Sequence, residues 1–368
     1  MKRKLAIIGI LAALVLALSG CGGEKGKTLN VYNWGEYIAD GTDGSRDVIA
    51  EFEVWYEQTY GEPVTVHYST FASNEDMYNK ISTGAVSYDL LFPSDYIIAR
   101  MAEEGLLRTL NFDNIPNYQY ISQDFRGLYY DSQDLYSIPY AYGIVGVIYN
   151  ASAVDEADTG SWDLMWNEKY ADQILQYNNS RDAFGTAMYR LGIDVNTQDP
   201  ALWEQAAEEL ITQRPLVKSY VMDEIYNMMQ SGEAAVASYY VGDFLLMRDS
   251  QAENVDLRIY YPDPTNFFVD AMVIPTCAQE PELAEIFMNY LLSEEVAIAN
   301  AEFICCSVPN SLVYENEAYR ENLGPEVLDM LYPEMDSFSE AYNRYAYRNL
   351  PAETLDLLNS LWETVKIN

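Results

Sequence analysis

Between Leu29 and Glu104 the apolar residues alternate between a period of two and a period near 3.6, and this limits the fold more than any other feature. Leu29 to Val31 reads as a strand. Arg46 to Tyr60 carries Val48, Phe52, Trp55 and Thr59 at helical spacing, with Glu51, Glu53 and Glu57 on other faces and Gly61 as a stop. Val64 to Tyr68 reads as a second strand, Glu75 to Ser82 as a helix stopped by Gly84, Tyr88 to Phe92 as a third strand, and Ile97 to Glu104 as the next helix. Strand and helix in strict turn predict a mainly parallel sheet covered by helices. Ligands of such sheets bind beyond the carboxyl ends of the strands.

The later chain keeps the same character. Tyr136 to Tyr140, Ile144 to Tyr149, Gln173 to Tyr177 and Ala234 to Tyr240 read as strands, and Ser161 to Tyr170 as a short Trp-rich helix. A helix opens at Asn178-Asn179-Ser180-Arg181-Asp182 and closes at Gly192; Asn179 or Ser180 would cap it and Asp182 would complement its dipole. Leu202 to Thr212 and Pro351 to Val365 are further helices, and Glu282 to Ala299 reads as one long amphipathic helix. The 368 residues are too many for one ordinary core, so two α/β lobes are expected.

Candidate chemistry lies at the strand exits. In Tyr32-Asn33-Trp34-Gly35-Glu36-Tyr37, an extended chain would turn Trp34 and Glu36 to one side. An indole face and a carboxylate together make a socket for an organic cation; the plain reading is a core Trp beside a solvated Glu. Phe267 to Ile274 is a buried strand with one charge in it, and burying a lone carboxylate is costly unless it is paired or bound. Phe268 and Asp270 repeat the ring-plus-acid spacing, although a bond from backbone to Asp270 at a strand end would also explain it. Ser94-Asp95-Tyr96 leaves the third strand, and Tyr240 is followed closely by Gly242-Asp243.

Composition narrows the partners. There are 57 acids against 21 bases, a net charge of −36, so more than half the carboxylates lack a basic partner anywhere in the chain. Nucleic acid is disfavoured, since phosphate recognition needs a basic footprint; a cationic ligand or a solvated acidic shell fits. The 32 Tyr against 12 Phe suit a wet aromatic groove or ordinary half-buried positions. One histidine, His67, disfavours His-rich zinc sites and Ser-His-Asp or Cys-His catalysis. Cys277, Cys305 and Cys306 lack CxxC spacing; free thiols or one disulfide stay open. There is no Walker loop, no GxGxxG after a strand and no GxSxG, so no cofactor and no metal are expected.

Lys2-Arg3-Lys4 followed by apolar Leu5 to Leu18 reads as a secretory signal, too short to span a bilayer. Its end, Leu18-Ser19-Gly20-Cys21, resembles the lipobox of bacterial lipoproteins. That resemblance implies cleavage after residue 20, a lipid anchor on Cys21 and a tether over 21–27. Loss of three bases would move the net charge from −36 to −39.

YNWGEYI at 32–38, STFASNEDMY at 69–78, YDLLFPSDYII at 88–98, YSIPYAYG at 136–143 and DAMVIP at 270–275 together resemble the spermidine/putrescine-binding proteins of bacterial ABC transporters. The resemblance implies a type II periplasmic-binding-protein-like α/β fold, with two lobes joined by crossover strands around an interlobe cleft. It maps one lobe to 28–143 plus 269–314 and the other to 144–268 plus 315–368. It implies a non-enzymatic, lipid-anchored monomer at the outer face of the cell membrane or in the periplasm, which hands a polyamine to a membrane permease. By motif, Trp34, Glu36 and Tyr37 match the first box, Ser94 and Tyr96 the second loop, and Asp270 the central acid. Phe268 and Tyr240 stand where Trp is usual. Asn179 and Asp182 replace an Asp and a Glu at the far end, leaving room for putrescine as well as spermidine. Arg348 falls where a neutral polar residue is usual, so either the alignment slips or Arg348 neutralises a neighbouring acid. Cys306 falls at a usual aromatic position. The alternative is a secreted glycoside hydrolase using Glu36 and Asp270 between aromatic platforms, or a sugar-binding protein.

Overall fold

The computed structural model describes residues 26–84 and 86–367; residues 1–20 and Cys21 lie outside them. Its first third follows the sequence pattern. β1 (Lys27–Trp34), β2 (Val64–Phe71) and β3 (Leu90–Leu91) are parallel neighbours, with Trp34 opposite Phe71. Between and after them run α1 (Val48–Tyr60), α2 (Asn74–Ser82) and α3 (Asp95–Glu103). The Asp47 and Ser73 side chains cap α1 and α2, accepting from the Ala50 and Asp76 amides at 2.9 and 3.1 Å. Gly61 closes α1 with φ 78°, a left-handed conformation that glycine adopts without penalty.

The two halves of the molecule are joined by one strand. Residues 136–140 and 144–149 are not two strands: they belong to β4 (Ser137–Asn150), a continuous 14-residue element buried along its whole length. In the second half lie β5 (Ile174–Tyr177), α4 (Ser180–Leu191), α5 (Pro200–Gln213), β6 (Val217–Val221), α6 (Ile225–Gln230), β7 (Val236–Tyr240), α7 (Val241–Asp249) and β8 (Leu257–Tyr260); β9 (Phe267–Val273) returns to the first. Strand order is β2-β1-β3-β9-β4-β7-β5-β6, with β8 also on β4. The first half of β4 pairs antiparallel with β9 and the second half with β7 and β8. Where the strand changes partners, the Val145 amide donates to the Asn266 carbonyl (3.0 Å) and the Thr265 hydroxyl donates to the Val145 carbonyl (2.7 Å). The two crossings therefore run side by side.

Two apolar cores result. One is built from 29–142 and 269–313, the other from 145–257. The C-terminal stretch is shared between them, which differs from its expected assignment to the second lobe over 315–368. Tyr319, Phe338, Tyr342 and Ala346 pack into the first core, whereas Leu331, Tyr347, Leu350, Leu358 and Trp362 pack into the second. Helical periodicity gives each segment an apolar face but does not say which lobe covers it. Two other elements differ. The helix expected over 282–299 is broken into Pro281–Leu291 and Glu294–Ile304. Ser293 is extended, and its hydroxyl donates back to the Tyr290 carbonyl at 2.6 Å, a local bond that competes with the helix. The Trp-rich segment is two 3-10 turns, Trp162–Trp166 and Glu168–Tyr170.

The crossing region is packed closely enough to be tested. A Cβ on Gly242, at the start of α7, would lie 2.8 Å from the Cys305 carbonyl oxygen and 2.6 Å from Cys306 Sγ. Gly242→Ala is expected to destabilise the protein by about 1–3 kcal/mol, as overpacking does. Urea unfolding checks this; a loss under about 0.5 kcal/mol, typical of a surface site, would mean that the segment yields freely.

Candidate functional site

The strand exits of both halves meet in one cleft. Each contributes an acid from the turn that follows a strand: Asp95 opens α3 after β3, Asp182 lies in the first turn of α4 after β5, and Asp243 in the first turn of α7 after β7. Asp223 follows β6, and Asp270 projects from within β9. The carboxylates of the first three are favoured by the positive ends of their helices. Aromatic side chains form the walls: Trp34, Tyr37, Tyr96, Tyr240, Phe268 and Tyr347. Phe268 meets Tyr240 edge to face, centroids 5.3 Å apart, so one ring comes from each side of the crossing.

Eight of the ten residues selected from the sequence line this cleft: Trp34, Tyr37, Ser94, Tyr96, Asp182, Tyr240, Phe268 and Asp270. Glu36 does not. β1 ends at Trp34, and Glu36 takes a left-handed φ of 50° and is exposed, so the two-residue alternation that would pair it with Trp34 stops. The turn brings in Tyr37 instead, whose hydroxyl donates to Asp270 Oδ2 at 2.8 Å. Asn179 is also outside the lining. It caps α4 by accepting from the Asp182 amide (2.8 Å), and its own amide donates to Asp182 Oδ2 (2.7 Å). Its place is behind the acid, holding it in position.

The carboxyls are short of positive charge. Asp270 is 5% exposed, its Oδ1 has no hydrogen-bond partner, and its carboxyl is pushed up to about 7. Burial is the main cause and the charges of Asp95 and Asp182 add to it, against the nearby Ser94 hydroxyl and the hydrogen bond from Tyr37. Asp95 is pushed up to about 6 by burial, although Tyr342 Oη (2.8 Å) and the Tyr96 amide (2.6 Å) donate to it. Asp243 is likewise raised to about 6 by burial, against the Tyr226 hydroxyl at 2.6 Å. Asp182 is raised by burial, with Tyr240 Oη donating at 3.0 Å. Among the described residues, none of those lining the cleft is Lys or Arg.

Two puzzles of the sequence find places. The Arg348 guanidinium stacks on the Tyr129 ring, 3.4 Å from its centroid, outside the cleft lining, and its charge is among those that lower the Asp95 carboxyl. Cys306 is a free, buried thiol at the cleft floor beside Gly242. Sequence reasoning missed Asp95, Asp223, Asp243 and Tyr347 as lining residues. For Asp243 the signal was present, an acid close behind the aromatic end of a strand. For Asp223 and Tyr347 no ring-plus-acid spacing marks them.

Two α/β lobes that share crossing strands and enclose a slot between their strand exits define a type II periplasmic binding protein. The chain belongs to the bacterial extracellular solute-binding protein family, which it matches over residues 47–322. It is 31% identical over 331 residues to the spermidine/putrescine-binding periplasmic protein of Escherichia coli, covering 88% of each chain. Among solved structures, it resembles the spermidine/putrescine ABC transporter substrate-binding protein of Streptococcus pneumoniae (30% identity, TM-score 0.70, 93% of this chain and 99% of that one). It also resembles a lipoprotein of Treponema pallidum (25% identity, TM-score 0.74, 93% of this chain and 100% of that one).

Raised carboxyl pKa values fix a sign for stability. An unfolded chain loses these protons near pH 4, whereas folded Asp270 keeps its proton up to about 7 and Asp95 and Asp243 theirs up to about 6. Between those limits the folded state binds more protons, so the contribution of these groups to stability falls as pH rises. Ligand-free protein is therefore expected to lose stability, relative to Asp270→Asn, between pH 5 and pH 8. Paired urea titrations check it; a difference that does not vary with pH refutes the assignment.

Proposed function

We propose that this protein captures a polyamine, putrescine or spermidine, in the interlobe cleft and delivers it to the membrane permease of an ABC transporter. The observation that carries this reading is five lining carboxylates, walled by aromatic rings, with no basic side chain among the described lining residues. An alkyl diamine supplies what is lacking. Its ammonium groups satisfy the acids through charge-assisted hydrogen bonds and meet ring faces, and its methylenes lie against the aromatic walls. The names of the relatives and their shared fold support the same ligand class. The family is one of solute-binding proteins, and the glycosidase alternative is not favoured.

In this reading Asp270 and Tyr37 form the central grip, Asp182 with Asn179 behind it the far end, and Asp243 an acid close to Asp270. Glu36 would engage only if its turn moves. Binding is expected to drive lobe closure about β4 and the 265–267 crossing, since a ligand touching both lobes supplies the differential affinity that closure needs. The lipid anchor on Cys21, export to the outer face of the membrane and a monomeric state complete the proposal. A tethered carrier stays near its permease, and several acyl chains would hold it there stably.

Thermal unfolding with added amines tests the function. At a hundredfold excess over Kd, the ligand is expected to stabilise the fold by about 2.7 kcal/mol; no shift with putrescine or spermidine would refute it. For the assignment of residues, Asp270→Asn is expected to weaken putrescine binding more than Asp182→Asn does, with the two converging for spermidine. Calorimetry on both variants decides, and equal losses with putrescine would reject it.

A further inference from the structure

Asp223 differs from the other acids of the cleft. It reaches the cleft from the short segment between β6 and α6 and is the exposed member of the set. Across the gap it faces Gly35 of the opposite lobe: a Cβ built on Gly35 would lie 3.3 Å from Asp223 Oδ2. Its carboxyl is raised, first by partial burial and then by Glu224. Asp223 and Asp270 in turn both raise Asp243, and all three line the same cleft. The hydroxyls that pair with their neighbours are accounted for, Tyr226 with Asp243 and Tyr37 with Asp270, and Asp270 Oδ1 still lacks a donor. Asp182, on α4 with Tyr240 donating to it, already has a hydroxyl and the Asn179 amide as partners.

We infer that Asp223 is a specificity-determining residue, completing with Asp243 and Asp270 a three-carboxylate nest for a terminal primary ammonium, and that Gly35 lacks a side chain so that Asp223 can close over that end. This rests on the polyamine reading and deepens it. A primary ammonium carries three N–H donors on one compact charge, and three carboxylates from two lobes can each accept one. A tertiary ammonium of equal charge offers one donor and bulky methyl groups. The nest therefore selects by donor count and size, whereas a single acid would select by charge alone. Asp223 is exposed and bears on Gly35 of the opposite lobe, so its contribution falls chiefly on ligand release.

The test compares putrescine with its tetramethylated form, in which both nitrogens are tertiary, on wild-type protein, Asp223→Ala and Gly35→Ala by calorimetry and stopped-flow release. Asp223→Ala is expected to weaken putrescine by about tenfold, mostly through faster release, and to change the tetramethylated form little, so that discrimination narrows. Gly35→Ala is expected to act in the same direction by crowding Asp223. Because Asp223 is exposed, the ligand-free unfolding midpoint should hold. An unchanged putrescine affinity in Asp223→Ala, or equal weakening of both ligands, overturns this inference and leaves the polyamine reading standing. Wild-type protein that binds neither amine removes the reading itself.

Discussion

An unpaired carboxylate held out of water is the constraint around which this protein is arranged. Asp270 projects from a central strand at the junction of the lobes, with one oxygen on Tyr37 and the other without a donor. In an isolated fold such a group is a liability, because the low-dielectric surroundings penalise its charged form. Here the penalty is repeated at buried Asp95 and at half-buried Asp182 and Asp243, all three raised. The arrangement becomes favourable once a cation enters. The energy by which the empty site is destabilised is then recovered as affinity and as a drive to close.

The crossing strands make that response cooperative between lobes. β4 belongs to both cores and β9 returns beside its first half, so the lobes are joined through a narrow region at 144–145 and 265–267. Phe268 and Asp270 sit just beyond that region, while Tyr240 ends the strand paired to the other half of β4 and Asp243 lies in the first turn of the helix after it. Cleft-lining residues and the crossing are thus a few residues apart along the same backbone. The C-terminal stretch adds a third link: Tyr342 donates to Asp95 in the first lobe, and Tyr347 lines the cleft while packing in the second core.

The aromatic walls define shape where the acids define charge. Tyr is favoured over Phe at most wall positions, and its hydroxyls are used: Tyr37 on Asp270, Tyr96 on Glu75 at 2.9 Å, Tyr240 on Asp182. Each ring therefore packs on one face of the slot while its tip fixes a carboxylate. This couples the width of the slot to the position of its charges, while Asn179 holds the Asp182 carboxylate from outside the lining.

The strand–helix alternation over 29–104, the excess of acid and the aromatic residues at strand exits were legible in the sequence because each depends on local period or on composition. From these follow an α/β sheet with its site at the strand exits and a preference for a cation. Matching Phe268 with Asp270 succeeded because β9 stays extended, so residues two apart share a face. The same rule failed for Trp34 and Glu36, because β1 stops at Trp34 and Glu36 turns left-handed. Only the tertiary structure placed Tyr37 on an acid 233 residues away, joined two expected strands into β4, divided the C-terminal stretch between two cores and brought Asp223 opposite Gly35. Those outcomes depend on contacts between distant segments, whose formation is decided by which buried surfaces fit together rather than by the neighbours of any residue along the chain.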